Sequence, residues 1–253
     1  MAADQYLQNI LTREAVDTGI FSPVRGVLTT LQPIITEWAG GQLRSITPSG
    51  SFAKGTANRN GTDIDLLISL SHTTTNTLKE IYESLATRMG AKGYTVRRQN
   101  VSINVRVGGY DVDLVPAKRQ DMYSEDHSLY RRRADTWTKT NVQTHIDHVR
   151  NSNRLSEIRV VKLWRNQKGL DFPSFYLEKT VMNAPLGSVF AGLSDNVWRV
   201  FQYLRDTFPN ASVIDPANTN NIISDDLSMA DRLKIKAAAE RALQAKDWNE
   251  IVV

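Results

Sequence analysis

The sequence predicts an α/β protein of the α+β kind, with a mixed β-sheet in the first half of the chain and helices in the second. Alternation of apolar and polar residues, which is typical of strands, is concentrated before about residue 125. After that point apolar residues recur at helical spacing instead. We therefore expect two lobes, a sheet-containing lobe with N-terminal helices over residues 1–125 and a helical lobe over residues 126–253.

The segments follow one another without a repeat. In the first lobe we expect a helix after Ser22-Pro23, a strand-like run before Gly50, an alternating strand at 63–70, a helix over 78–89 and a hairpin that turns at Gly108-Gly109. In the second lobe we expect helices over 154–167, 177–182, 197–207 and 230–245.

Composition limits the classes of function. The chain has 253 residues, no cysteine and a net charge of +4, so disulfides, thiolate catalysis and cysteine zinc sites are excluded. Any metal must be held by oxygen or imidazole. The modest positive charge permits nucleotide or RNA partners without requiring them. No apolar run approaches the roughly 18 residues that span a bilayer, and the first residues do not resemble a signal peptide, so we expect a cytoplasmic protein without a membrane partner.

Two aspartates stand one residue apart in a segment that otherwise reads as a buried strand, Asp63 and Asp65. Side chains two positions apart in a strand point to the same face, so the two carboxylates would project together. Neighbouring anions repel each other, and a bound divalent cation is the usual reason for burying such a pair. The alternative is a solvated pair at the surface of a hairpin.

The predicted hairpin supplies further acids. Its return strand carries Asp111 and Asp113, again on one face. The hairpin can bring this strand beside the one that carries Asp63, and either Asp111 or Asp113 would then complete a metal site. Because Mg²⁺ is usually bound by a few carboxylates together with substrate phosphates, a phosphate-binding element should lie close by.

Gly50-Ser51 is the candidate for that element. It follows a strand-like run and opens the sequence GSFAKGT. Glycine permits close approach of the backbone, and backbone amides and the Ser51 hydroxyl can donate hydrogen bonds to phosphate oxygens. By itself the pair is equally consistent with a simple turn. Its occurrence beside the paired aspartates favours a site for metal and phosphate.

These motifs resemble the signature of the nucleotidyltransferases of the DNA polymerase beta superfamily. The signature is a Gly-Ser turn, an Asp-x-Asp strand and a later single Asp, seen here in GSFAKGTANRNGTDIDLLI and YDVDLVP. The match is closest to the branch of oligoadenylate synthases, cyclic GMP-AMP synthase and bacterial cyclic-oligonucleotide synthases (CD-NTases of the CBASS type). The resemblance implies a polymerase-beta-like core, a bilobed protein with its active site in the cleft, and Asp63, Asp65 and Asp113 as catalytic metal ligands.

The resemblance extends into the second lobe through IRVVKLWRNQKG and FPSFYLEKTV. It implies that Lys162 and Ser174, with Gly50 and Ser51, hold the nucleotide triphosphate, and that Phe175 or Tyr176 stacks on the base. On a helix Lys162 would project among apolar residues, an unusual place for a surface lysine.

The function that the resemblance implies is metal-dependent nucleotidyl transfer. Two Mg²⁺ or Mn²⁺ ions would assist the condensation of nucleoside triphosphates, with ATP expected among them, into a cyclic or short linear oligonucleotide messenger. Bacterial antiviral defence, with a downstream effector that senses the product, is the expected setting. One alternative is a transferase that adds nucleotides to an RNA 3′ end or a nucleoside monophosphate to a protein. Another is a nucleotide-binding regulator without turnover. RNA or a protein would serve as activator or substrate, and the oligomeric state is not predicted.

Overall fold

The computed structural model describes residues 3–17, 19–59, 61, 63–185, 187–188 and 190–253. The helices are α1 (Ala3–Arg13), α2 (Pro23–Ala39), α3 (Gly50–Lys54), α4 (Leu78–Ala91), α5 (Val142–Arg150), α6 (Leu155–Gln167), α7 (Ser174–Asn183), α8 (Leu193–Asp206), α9 (Met229–Gln244) and α10 (Trp248–Ile251). The strands are β1 (Leu43–Ser49), β2 (Ile64–Leu70), β3 (Arg97–Arg98), β4 (Ile103–Val107), β5 (Tyr110–Arg119), β6 (His127–Arg131), β7 (Thr136–Thr140), β8 (Ile214–Asp215) and β9 (Asn218–Ile222).

The chain divides into two compact units. We call Val16–Lys54 with Thr62–Asp147 the sheet unit, and Met1–Ala15, Gly55–Gly61 and His148–Val253 the helical unit. No helix in the described ranges is both long and apolar enough to cross a bilayer.

The sheet unit is built on seven strands in the order β1-β2-β5-β4-β3, with β6 paired to β5 and β7 paired to β6. Strands β2 and β5 run parallel, whereas the other pairs are antiparallel. The sheet is therefore mixed, which confirms the predicted α/β class. Strand β2 is central and apolar, with Ile64, Leu66 and Ile68 fully buried, as expected for a strand covered on both sides.

Helices α2 and α4 belong to the sheet unit and begin and end where the sequence predicts. Pro23 occupies the first turn of α2, where its missing N–H is not needed. Helix α4 opens with a capping box, in which the Thr77 hydroxyl accepts from the Glu80 backbone N–H and the Glu80 carboxylate accepts from the Thr77 N–H. Its buried side chains include Leu85 and Met89, both completely covered.

The helical unit has a core rich in aromatic residues. Trp164 of α6 packs edge to face on Phe201 of α8, with ring centroids 5.1 Å apart. Tyr176 of α7 and Phe208, which follows α8, also pack together at 5.3 Å. Each fully buried large apolar side chain contributes about 1.5–3 kcal/mol through removal from water. Helix α1 joins this core through Leu7, which is fully buried.

The compact units differ from the predicted lobes of 1–125 and 126–253. Strands β6 and β7 lie beyond residue 125 yet extend the sheet, and α1 packs with the helical core. The sequence of β7, TWTKT, has one large apolar residue, and Trp137 is exposed. Such a strand is held by its hydrogen bonds to the neighbouring strand, and its sequence has little of the apolar alternation that predicts strands.

Candidate active site

A row of polar residues crosses the sheet unit from one edge to the other. Ser49 on β1 lies opposite Asp65 on β2, and Asp65 lies opposite Asp113 on β5. Asp113 in turn lies opposite Asn104 on β4, which lies opposite Arg97 on β3. Residues that are direct partners across strands share one face of the sheet. The row therefore brings two of the three predicted catalytic aspartates side by side on one face.

The predicted Gly-Ser turn lies against the first of these aspartates. Gly50 has a φ of +58°, and a Cβ atom built on it would stand 1.7 Å from Oδ2 of Asp65. Both the left-handed backbone and the lack of space require glycine at this position. The chain thus turns from β1 into α3 directly beside the Asp65 carboxylate, and Ser51, half-buried, is the second residue of α3.

Asp113 is held by neutral donors. Its Oδ1 accepts hydrogen bonds from Asn104 Nδ2 at 2.8 Å and Gln99 Nε2 at 3.2 Å, and its Oδ2 accepts from Ser102 Oγ at 3.3 Å. These groups orient the carboxylate without neutralising its charge, so the negative charge remains available to a cation.

Asp63 precedes the first residue of β2. The residue is exposed, yet its carboxyl group is partly shielded by neighbouring atoms. This desolvation raises the pKa of Asp63, the charges of Asp113 and Asp111 raise it further, and Arg97 opposes them. The expectation that both aspartates of the Asp-x-Asp motif are buried is wrong, because Asp63 stands where the chain enters the sheet and Asp65 is half-buried.

The chemistry of these donors fits a divalent cation. They provide oxygen ligands alone, which is the preference of Mg²⁺. Desolvation raises the pKa of Asp63, and the charge of Asp113 raises it further, so a bound cation would stabilise the ionised acids. In the part of the chain that the structure describes, no three or more histidine, aspartate or glutamate side chains form a group that could hold a metal ion. A bound cation would have to draw the carboxylates closer together.

The predicted triphosphate ligand Lys162 lies in a buried cluster of the helical unit. Its Nζ donates to Oε1 of Glu178 on α7 at 2.6 Å and to Oγ1 of Thr56 at 2.9 Å. The Thr56 hydroxyl donates to the same glutamate oxygen at 2.7 Å. The Lys162 residue is only 3% exposed. Glu178 therefore explains the unusual position of this lysine, and its contact with a triphosphate stays a prediction.

Ser174 is the first residue of α7 and is half-buried. Its hydroxyl accepts a hydrogen bond from Nη1 of Arg165 on α6 at 3.0 Å, and the same nitrogen donates to the Phe172 carbonyl at 2.7 Å. Arg165 thus fixes the start of α7 and the side chain of Ser174. Sequence reasoning did not single out this arginine.

The two aromatic candidates for base stacking differ in access. Tyr176 is fully buried, and its ring packs perpendicular to Phe172 with centroids 5.3 Å apart. A nucleobase cannot reach that ring in this structure, since both it and its neighbours belong to the core. Phe175 is only partly buried against the same core, so it is the aromatic candidate that the structure leaves open.

A model of the Second Messenger Oligonucleotide or Dinucleotide Synthetase (SMODS) domain matches residues 7–153. This match covers more than half of the chain and includes the Gly-Ser turn and all three predicted aspartates. The chain belongs to the SMODS family. The branch predicted from the Gly-Ser and Asp-x-Asp motifs is thereby confirmed.

Relatives of this SMODS chain include the cyclic AMP-AMP-AMP synthase of Escherichia coli MS 115-1, 25% identical over 186 residues. That alignment covers 65% of this chain and 58% of the relative. The structure of E. coli MS115-1 CdnC with ATP matches with a TM-score of 0.77 and 21% identity, over 96% of this chain and 91% of the other. CdnG of Bradyrhizobium diazoefficiens, solved with GTP, matches with a TM-score of 0.75 and 13% identity, over 96% and 92%. The shared fold confirms the predicted nucleotidyltransferase architecture.

Sequence reasoning on this SMODS chain missed the residues that orient Asp113. In β4 the polar residue Asn104 alternates with Ile103 and Val105, which are fully buried. This alternation places Asn104 on the face opposite to the core. The sequence of the hairpin therefore contains the alternation that singles out Asn104. Its role follows only from the pairing of β4 with β5, which places Asn104 opposite Asp113.

The contact between Gly50 and Asp65 leads to a first prediction. We expect Gly50→Ala to lower the free energy of unfolding by at least about 1–2 kcal/mol, because an alanine with positive φ is strained and its methyl group would collide with the Asp65 carboxylate. Urea unfolding followed by circular dichroism measures this. The matched control is Gly41→Ala, whose methyl group would meet nothing within 4 Å, and it should change stability by less than about 0.5 kcal/mol. Equal stability of the two variants would contradict the prediction.

The buried cluster around Lys162 leads to a second prediction. Lys162→Met leaves Glu178 buried without its cation, which should destabilise the protein by about 3–5 kcal/mol. The double variant Lys162→Met/Glu178→Leu removes both charges and should recover most of that loss. Thermal or urea unfolding of the single and double variants measures the difference. A Lys162→Met protein with unchanged stability and weakened nucleotide binding would instead favour the predicted phosphate contact.

Proposed function

We propose that this chain is a metal-dependent nucleotidyltransferase that condenses nucleoside triphosphates into a cyclic or short linear oligonucleotide and releases pyrophosphate. The observation that carries the proposal is the pairing of Asp65 with Asp113 on adjacent strands, with Gly50 packed against Asp65. Membership of the SMODS family supports the same class of reaction.

The proposed reaction forms one bond and breaks another. The oxygen of an acceptor hydroxyl bonds to the α-phosphorus of a donor triphosphate, and the bond from that phosphorus to the β-phosphate oxygen breaks. Pyrophosphate leaves with the electron pair. Asp113 is the candidate to receive the hydroxyl proton and release it to water. Its Oδ2 accepts a long hydrogen bond from Ser102, and the described residues supply no other donor to this oxygen.

Asp63, Asp65 and Asp113 would hold two divalent cations, Mg²⁺ or Mn²⁺. Such ions supply neutralisation of phosphate charge and activation of the acceptor hydroxyl. The protein's own contribution is orientation: Asn104 and Gln99 fix Asp113, whereas Gly50 permits phosphate to approach the backbone beside Asp65.

The remaining nucleotide contacts are assigned from the resemblance. Gly50 and Ser51 would donate to the triphosphate from the turn before α3, and Ser174, oriented by Arg165, would add a hydroxyl. Phe175 would stack on the base. Lys162 would join these contacts only if its bonds to Glu178 and Thr56 opened. The cyclic AMP-AMP-AMP synthase among the relatives makes ATP the substrate to test first.

The setting that we propose is bacterial antiviral defence in the cytoplasm, in which an effector senses the product. It rests on the resemblance to the CD-NTases and not on a feature of the fold. An activating protein or RNA would belong to the same setting. The alternative function is that of a transferase that adds nucleotides to an RNA 3′ end or a nucleoside monophosphate to a protein.

Product analysis separates these possibilities. The purified protein is incubated with Mg²⁺ or Mn²⁺ and labelled ATP, GTP, CTP and UTP, with and without RNA, and the products are resolved after phosphatase treatment. A phosphatase-resistant small product formed without RNA is the expected result. Label found only on RNA or on the protein would favour the transferase instead. Absence of turnover under all conditions, with bound nucleotide detected, would favour a regulator.

The acids provide the third prediction. Asp65→Asn should lower turnover by at least about a hundredfold, since an amide cannot supply the charge that a cation requires. The variant should remain folded, which far-ultraviolet circular dichroism checks. Asp111→Asn is the matched control: it changes an exposed aspartate of the same strand pair, outside the proposed ligand set, and should keep most of the activity. Turnover retained by a Asp63→Asn/Asp65→Asn protein would falsify the mechanism.

A further inference from the structure

Arg97 lies at the far end of the polar row. It stands on the edge strand β3, directly opposite Asn104 of β4. Asn104 in turn donates its side-chain amide to Asp113. Because direct cross-strand partners share a face, Arg97 presents its side chain on the face that carries the proposed catalytic acids.

The neighbouring arginine shows the contrast. Arg98 lies opposite the fully buried Ile103 and forms an ion pair with Glu83 of α4 at 3.0 Å. Arg97 is exposed, and its guanidinium has no hydrogen bond or ion pair with any residue that the structure describes. Arg98 is therefore held in an ion pair with α4, whereas Arg97 makes no such contact within the described ranges and its charge acts on the acids of the site, where it opposes the raised pKa of Asp63.

A second arginine on this face is balanced by an acid. Arg106 of β4 lies opposite Asp111 of β5, so opposite charges are neighbours there. Arg97 has the neutral Asn104 as its partner instead. Arg97 therefore has no acid directly across from it in the polar row. An arginine whose charge is not paired with a neighbouring carboxylate is well suited to bind a phosphate group.

The order of the residues in the polar row indicates which phosphate group of the substrates Arg97 can reach. Gly50 and Ser51, the proposed triphosphate contacts, adjoin the row at β1, beyond Asp65. Arg97 adjoins it on the other side of Asp113, two strands away, which is roughly 10 Å at the usual strand spacing. In phosphoryl transfer the attacking oxygen and the leaving group lie on opposite sides of the phosphorus. The acceptor must therefore extend from the acids away from Gly50, towards β3.

We propose that Arg97 binds a phosphate group of the acceptor, which is a nucleotide or a short oligonucleotide with a 5′-phosphate. This inference rests on the proposed function, because it assigns the acceptor side of the same site. The planar guanidinium can donate two parallel hydrogen bonds to one phosphate, which would increase the affinity of the site for a phosphorylated acceptor.

The test compares two acceptors. Labelled ATP is the donor, and the acceptor is the adenosine dinucleotide of the linkage that the enzyme forms, either with a 5′-phosphate or with a 5′-hydroxyl. Initial rates of extension against acceptor concentration give KM and kcat for each. We expect the unaltered protein to prefer the phosphorylated dinucleotide. Arg97→Ala should raise KM for it by about tenfold to a hundredfold, leave kcat nearly unchanged, and abolish the preference.

Two variants act as controls. Arg98→Ala removes the neighbouring charge from the other face of β3 and should keep the preference for the phosphorylated acceptor. Arg97→Lys keeps the charge but loses the paired donors, and should retain part of the preference. If Arg97→Ala extends both acceptors as the unaltered protein does, or weakens both equally, the proposal is overturned.

Failure of the proposed function is recognised separately. If the unaltered protein transfers no nucleotide to either acceptor, equilibrium dialysis with the two labelled dinucleotides tests Arg97 alone. Weaker binding of only the phosphorylated dinucleotide by Arg97→Ala would support the phosphate contact. Equal affinities of the unaltered protein and Arg97→Ala would overturn it.

Discussion

The placement of two carboxylates, Asp65 and Asp113, opposite each other on adjacent strands is the constraint on which the arrangement of the sheet unit depends. The parallel pairing of β2 with β5 places these two acids opposite each other. Neutral donors hold Asp113, and a glycine lies against Asp65. The sheet unit thus brings carboxylate oxygens from two strands to one face, and such oxygens are the ligands of metal ions that assist phosphoryl transfer.

Much of this site could be predicted from the sequence, because its signals are local. The Gly-Ser turn, the spacing of Asp63 and Asp65, and the hairpin that carries Asp113 each lie within a few consecutive residues. The partners of Lys162 were not predictable in this way. Glu178 lies one helix further along the chain, and Thr56 lies more than 100 residues earlier, so their contact exists only once the helical unit has packed.

The fold, like the site, has parts that the sequence pattern predicts and parts that depend on long-range packing. Helix α2, which has Pro23 in its first turn, helix α4, which opens with a capping box, and the hairpin of β4 and β5 agree with the sequence pattern. Strands β6 and β7 were missed because strand pairing, of β6 with β5 and of β7 with β6, stabilises them more than their own side chains do. Tyr176 could not be distinguished from Phe175 by pattern, since adjacent residues of a helix differ by only 100° in direction and the buried side depends on packing partners such as Phe208.

The alternation along β2 has a consequence for folding. Asp65 points to the site, whereas its neighbours Ile64 and Leu66 are fully buried. Because side chains alternate with a period of two, a slip of one residue in the pairing of β2 with β5 would turn the Asp65 carboxylate to the opposite face and remove Ile64 and Leu66 from the core that they fill. A misregistered sheet would thus lose its core and its acids together. Molecules of this protein that fold stably but hold their acids out of register should not accumulate, because the packing that stabilises the sheet is also a check on the alignment of its active site.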